Sequence, residues 1–501
     1  MKFNINHDSY KVEDKHLEKD VKEEFEDDYV VKSMGAFGRW QAVVVTVVSL
    51  GRLIAMWNTL SILFLTPATK FICKRLKDNT TKIFEYSTCY VECMEYEFDK
   101  DMFEQTLISD FNLICDRAWM ASLTQMVLMF GLVAGVAAFG WISDRFGRSK
   151  ALILSASIDV VLMISTAFAP NYWTFTALRF FVGLASGGIM SITAVYTLEV
   201  VGPQHRELAG TLALLPDSVA EVTLAGFAYL ATTWRVYLLE FGGVSVAILL
   251  LLVFLPETPR WLMANRKADE TIELMTKAAK FNNRSTTSIK NNVEKSLQEL
   301  RQTSNEHHHL NYCDLFKTKR LSMITTSSCT VWFVTGACYY GINQYNTVLG
   351  SNVFIVVAVI GVIQMPMSLL ATVITKLYGR KASTIGTFII TGLTMITILL
   401  LPDGTWVFTI FGIIGVLSSF VNFCVVYLYV VELYPTPIRN MGFSLSSSSS
   451  KLGAMLAPFV ANLQPLWIPS VIFAALPFIA AVICLLLPET KGRKLRDTVD
   501  E

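Results

Sequence analysis

From about residue 40 onward, apolar runs of roughly 20 residues or more alternate with short polar turns. A run of that length crosses a bilayer as a helix. Twelve are legible: 40–65, 118–142, 150–169, 172–200, 208–231, 236–255, 322–347, 353–376, 382–401, 405–431, 442–463 and 467–487. Two polar excursions interrupt them, 66–117 after the first run and 256–321 after the sixth. An even number of crossings leaves both termini on one side. Arg145, Arg148 and Lys150 in one turn, and Lys376, Arg380 and Lys381 in another, mark that side as cytoplasmic. The expected plan is a cytoplasmic segment 1–36, a six-helix bundle 37–255 with an extracellular loop 66–117, a cytoplasmic linker 256–321, a second bundle 322–488 and a cytoplasmic tail 489–501. The first 34 residues are polar and acid-rich, unlike a signal peptide, and are expected to be disordered.

The second bundle echoes the first. Gly147-Arg148 returns as Gly379-Arg380, 232 positions later, and Pro256-Glu257-Thr258 returns as Pro488-Glu489-Thr490 at the same offset. Glu199 with Arg206 returns as Glu432 with Arg439, 233 positions on. Three features at one offset indicate two similar halves in tandem, the parallel-repeat plan of many secondary transporters.

Composition narrows the class. Hydrophobic residues are 53% of the 501 and charged residues only 17%, too apolar for a soluble chain of this length. The net charge of +1 offers no global field to nucleic acid. No phosphate loop, metal cluster or nucleophile arrangement is present, so an enzyme is not expected, nor a cofactor; sodium or a proton stays open as coupling ion. His307, His308 and His309 are adjacent in a polar stretch and cannot all face one ion from a regular helix. The 66–117 excursion carries Cys73, Cys89, Cys93 and Cys115 and the acceptor triplet Asn79-Thr80-Thr81. Outside the cell, two disulfides and a glycan on Asn79 are expected. Three pairings are open, and Cys89-x-x-x-Cys93 alone is weak support for the competing zinc reading.

The turn Gly140, Asp144, Arg145, Gly147, Arg148 resembles the loop-2/3 signature of the major facilitator superfamily. Three further stretches narrow the resemblance: Gly35 to Gln41 (Gly-Ala-Phe-Gly-Arg-Trp-Gln), Pro256 to Leu262 (Pro-Glu-Thr-Pro-Arg-Trp-Leu) and Glu432 to Gly442. With the cysteine-bearing outer loop they resemble the organic cation, organic anion and carnitine transporters, solute carrier family 22, over residues 35–495. The resemblance implies an all-α membrane protein of twelve transmembrane helices in two pseudo-symmetric bundles. It also implies alternating-access movement of a small organic ion across the plasma membrane.

A charge inside a bilayer is costly and marks function by default. Lys451 lies at the middle of the eleventh run, where the family resemblance implies an aspartate in cation carriers and a basic residue in anion and carnitine-type carriers. Lysine there favours an organic anion or a carboxylate-bearing zwitterion. Arg52 interrupts the first run, with Asp217 and Glu221, four residues apart on one face of the fifth, as candidate partners. Tyr339, Tyr340, Gln344 and Tyr345 can offer rings and polar groups to a bulky ion. One departure counts against an anion: no lysine follows Pro366, as it often does in the family's anion carriers. Asp159 and Arg179 have no assigned role. Asp144, Arg145, Gly147, Arg148, Glu199 and Arg206, with Gly379, Arg380, Glu432 and Arg439, are expected to gate the cytoplasmic mouth through ion pairs between the halves that exist only when that mouth is shut. An organic cation carrier is the alternative within the family; a transporter-like receptor or scaffold is the alternative of another class.

Overall fold

The computed structural model describes residues 29–67, 69–76, 86–90, 93–100, 103–202, 205, 209–210, 212–303, 312–347, 352–401, 406–435, 438–465 and 467–491. Asn79, Arg206 and the three adjacent histidines lie outside the described residues.

Twelve long helices carry the chain back and forth. They are α1 Arg39–Leu60, continued by Ile62–Leu65, α2 Trp119–Phe146, α3 Arg148–Ala167, α4 Tyr172–Val200, α5 Leu215–Leu230 and α6 Trp234–Leu252 in the first half. The second half holds α7 Lys319–Asn346, α8 Val353–Tyr378, α9 Arg380–Leu400, α10 Trp406–Leu433, α11 Arg439–Ala461 and α12 Trp467–Cys484. Ten of the twelve are long and apolar enough to span a membrane on those grounds alone. α5 falls short because its regular part has only 16 residues and begins at Leu215-Pro216, proline being welcome only in a first turn. α11 falls short because Ser444, Ser446 to Ser450 and Lys451 dilute its apolar character. Both are nevertheless packed as spans, α5 on α8 and α1, and α11 on α7 and α2.

Each half has its own apolar core. Val48, Leu132, Tyr196 and Phe241 belong to the first, Trp332, Phe388, Phe420 and Phe473 to the second. Backbones touch where α2 crosses α4. A Cβ at Gly131 or Gly135 would sit 2.1 or 1.9 Å from the carbonyl oxygens of Phe180 and Leu184. Reciprocally, a Cβ at Gly183 or Gly187 would meet those of Leu128 and Leu132 at 2.1 and 2.2 Å. Two Gly-x-x-x-Gly faces therefore interlock, the small-residue packing that membrane helices use in place of hydrophobic drive.

The ends of the bundle are distinguished by what they carry. At the disulfide face, β1 Phe71–Leu76 pairs antiparallel with β2 Cys93–Phe98, and disulfides join Cys73 to Cys93 and Cys89 to Cys115. Asp110 fastens this excursion to the first half, accepting from Trp234 Nε1 at 3.1 Å and Arg235 Nη2 at 3.0 Å. At the opposite, turn face, the linker forms helices Pro259–Ala264, Ala268–Phe281 and Ile289–Thr303. The expectation of disorder up to residue 34 needs correction at its end. Tyr29–Met34 is helical, and Val30 and Met34, one turn apart, are buried against Met275, Ala278, Ile289 and Val293. Asn282 completes that joint: its Oδ1 accepts from Trp40 N at 2.9 Å, while Nδ2 donates to Met34 O and Gln41 Oε1.

The halves meet through α2 with α11 and α5 with α8. Ser122 Oγ donates to Pro458 O at 3.0 Å and accepts from Asn462 Nδ2 at 2.9 Å. Phe354 stacks on Phe64 and meets Tyr229 edge-on. Val353, Val357, Ala454 and Met455 of the second half are buried in the core of the first. These contacts run from mid-span to the disulfide face, which is therefore the shut end.

Candidate functional site

Polar side chains from both halves converge at mid-span. Arg52 of α1 holds Asp217 of α5 bidentately, Nε to Oδ1 at 2.7 Å and Nη2 to Oδ2 at 3.0 Å. Parallel N–H donors from a planar guanidinium match a carboxylate, so the two charges cancel locally. Glu221, the other expected partner, does not join them. One turn along α5 and 0% exposed, its Oε1 accepts from Asn343 Nδ2 at 2.7 Å and from Tyr339 OH at 3.3 Å, both on α7. This bond crosses from one half to the other.

Lys451 is half-buried, and its Nζ stands 5.6 Å from the centroid of the Tyr340 ring. Tyr340 packs against the apolar cores of both halves, which puts the ammonium at their junction rather than out in lipid. Among the described residues Lys451 enters no ion pair. Arg52 lies within electrostatic reach of Tyr340 and Tyr427, and Tyr427 packs with Trp332 and Phe443. The centre is thus an aromatic-lined polar cluster with one ammonium free of a counter-charge.

Other expected residues fall elsewhere. Tyr345 OH shares a 2.8 Å hydrogen bond with Ser470 of α12 and its ring lies near Phe473, inside the second core. Gln344 is buried near the disulfide end of α7. Three central residues escaped the sequence reading: Asn343, Gln364 of α8, and Tyr427. Asn343 had a signal, a polar side chain one turn from Tyr339 in an apolar span. Asp159 accepts from Asn58 Nδ2 at 2.7 Å and Ser186 Oγ at 2.8 Å, and Arg179 donates to Asn58 O, Ser61 Oγ and Gln125 Oε1. All of these belong to the first half.

At the turn face the repeat becomes two copies of one latch. In the first, Arg148 binds Asp144 and Glu199 (Nη2 to Oε1, 3.0 Å), while Glu257 Oε1 accepts from Arg148 N at 2.8 Å and Ser149 N at 3.2 Å. Thr258 Oγ1 donates to Glu199, and Tyr196 OH donates to Pro256 O. In the second, Arg380 binds Glu432 (3.0 Å), and Glu489 accepts from Arg380 N at 2.9 Å and Lys381 N at 3.1 Å. Thr490 Oγ1 donates to Glu432 at 2.6 Å, and Tyr429 OH to Pro488 O at 2.7 Å. The Pro-Glu-Thr motif thus supplies an acceptor, an anion at a helix N-terminus and a donor. Gly147 and Gly379, at φ 111° and 90°, make the turns. A Cβ there would meet the glutamate Oε2 at 2.3 and 2.7 Å.

Each of these bonds ties a bundle to its own Pro-Glu-Thr segment or stays within that bundle; with the disulfide face shut, this is not the arrangement in which ion pairs between the halves are expected. Arg145 instead lies over Trp141 and Phe146, and Arg439 Nε donates to Tyr434 O. The two glutamates differ. Burial pushes the Glu257 carboxyl above the ordinary range despite its backbone donors. Burial also acts upward on Glu489, but donors from Lys491, Arg380, Thr490 and Lys381 outweigh it and hold it below that range. On acidification a proton reaches Glu257 first.

The sequence profile described as "Sugar (and other) transporter" matches residues 44–499. Human solute carrier family 22 member 13 is 33% identical over 401 residues, 79% of this chain and 71% of that protein. The chain belongs to solute carrier family 22. The Arabidopsis thaliana organic cation/carnitine transporter 4, 29% identical, covers 94% of this chain and 90% of its own length. The E. coli xylose transporter XylE in an inward-open conformation superposes with TM-score 0.67, at 15% identity, over 91% of this chain and 98% of its own. That likeness confirms the twelve-helix major facilitator fold. As a member of solute carrier family 22, the chain is a multi-pass membrane transporter of organic ions and not an enzyme.

Proposed function

We propose that the chain moves organic anions, or zwitterions bearing a carboxylate such as carnitine-like solutes, by rocking its two halves around the Lys451 cluster. It would do so in the plasma membrane, with the turn face and both termini in the cytoplasm. The observation that carries this reading is charge. Arg52 and Asp217 neutralise one another, which leaves the Lys451 ammonium at the junction to attract a carboxylate through a poorly screened medium. Tyr340 and Tyr427 would supply the apolar and aromatic surface that a bulky organic body needs. The free cation also answers the missing lysine after Pro366, because the anion reading no longer depends on Arg52.

An organic cation is the second reading. It is favoured by the buried Glu221 carboxyl and by the names of relatives such as the Drosophila melanogaster organic cation transporter protein, 25% identical over 518 residues. Thermal-shift titration of the purified protein with matched carboxylates and quaternary ammonium ions decides between them. Stabilisation by the carboxylates alone, lost in Lys451→Gln, is the expected result; stabilisation by the ammonium ions alone would replace the anion with a cation.

A further inference from the structure

Glu221 is fully buried, and among the described residues no cation pairs with it. The guanidinium of the cluster, Arg52 of α1, is held by Asp217. The groups that act on it are Asn343 and Tyr339 of α7, Gln364 of α8 and, one turn away on α5, Asp217; Tyr340, Cys424, Tyr427 and Lys451 complete the cluster around Tyr339, Asp217, Arg52 and the Tyr340 ring. A carboxylate so placed either finds a counter-charge or takes a proton. The hydrogen bonding shows which. Oε1 accepts from Asn343 Nδ2, while Glu221 Oε2 and Asn343 Oδ1 are both buried without a partner. Both are acceptors; with the carboxylate ionised, Asn343 Oδ1 stays bare and Glu221 Oε2 has only the Gln364 amide beside it. One hydrogen on Oε2 turns that oxygen into a donor and lets acid and amide close a two-point ring, Nδ2–H to Oε1 and Oε2–H to Oδ1.

We infer that Glu221 carries a proton in this arrangement, and that the protonated acid paired with Asn343 is a latch holding the two halves together. When α5 and α7 part, the ring opens, water reaches the carboxyl and the proton leaves to water. When the disulfide face shuts again, one proton is taken up from water. No other atom changes hands. Asp159, the other fully buried acid among the described residues, is a weaker candidate, because both its oxygens already accept hydrogen bonds and the donors lie in the first half. Its surroundings do not change when the halves separate. Protonation at Glu221 also leaves the cluster with a net positive charge, Arg52 and Lys451 against Asp217, so closure and the binding of an anion would favour one another.

The test needs no substrate, so it is independent of the substrate-sign reading. In full-length protein with Cys313, Cys329, Cys338, Cys424 and Cys484 replaced, spin labels on Trp173→Cys and Trp467→Cys report the separation of the halves at the disulfide face. Both positions are exposed at the disulfide-face ends of α4 and α12. The short-distance population should dominate at acid pH and fall as pH rises, whereas Glu221→Gln, a permanent mimic of the neutral acid, should stay short throughout. Infrared spectra should show a protonated-carboxyl stretch at acid pH that Glu221→Gln lacks. A pH-independent distance in the parent protein, a variant that titrates like the parent, or a carboxyl band unchanged by the substitution would each overturn the inference. The last would mean that Glu221 is ionised and served by the unpartnered Gln364 Nε2.

Discussion

Arg52 and Asp217 lie 165 residues apart in the chain and form a bidentate ion pair at mid-membrane, with side chains only 13% and 11% exposed. Removing one partner of such a pair strands the other charge, at a cost of about 3 kcal/mol or more. Arg52→Gln and Asp217→Asn should each lower the melting temperature of the purified protein, and the double variant should recover most of the loss. Asp217→Asn should in addition free the guanidinium and tighten carboxylate binding. Additive losses in the double variant would mean that the two side chains do not act as a pair.

The crossing of α2 and α4 leaves no space for a side chain. Gly135→Ala should reduce the yield of folded protein sharply, since its Cβ would fall 1.9 Å from Leu184 O and backbone cannot step aside. Gly226→Ala in α5 faces open space and should be neutral or slightly stabilising, by up to about 1 kcal/mol. Comparing the two by size-exclusion profile and melting temperature separates contact from composition. Equal behaviour would contradict the interlocked-glycine packing.

The paired latches at the turn face make a prediction about partners. Arg148→Glu should slow turnover. Exchange within the half, Arg148→Glu with Glu199→Arg, should restore part of it, while Arg148→Glu with Glu432→Arg should restore none. Single-turnover exchange rates in proteoliposomes check this. Rescue by the second combination would mean that these charges pair between the halves when the cytoplasmic mouth shuts.

Much of this architecture is written in local pattern. Apolar length marked the spans, and the 232-residue echo marked the duplication. Even α5 and α11 were legible, from the apolar runs 208–231 and 442–463, although the regular part of α5 is short and α11 is rich in serine. Pairing was not legible. Four cysteines announced two bridges without choosing Cys73–Cys93 and Cys89–Cys115. Asp217 and Glu221 share a face of α5, yet one meets Arg52 and the other crosses to Asn343. Which neighbour each acid meets depends on how α1 and α7 approach α5, a tertiary matter on which helical periodicity is silent. The partners within each latch were hidden for the same reason: Arg148 and Glu199 are tied by the docking of Pro-Glu-Thr beneath them, and spacing along the chain cannot reveal that.

The central claim is that the Lys451 ammonium selects the sign of the substrate. A hydrogen bond to a charged group contributes about 1.5–3 kcal/mol, roughly a 10- to 150-fold effect. Uptake of a matched panel of carboxylates and quaternary ammonium ions, by cells expressing the parent protein or Lys451→Asp at equal surface amounts, measures it. The expected result is carboxylate uptake that falls at least about tenfold while ammonium uptake rises. Carboxylate uptake that survives the reversal of charge would contradict the account.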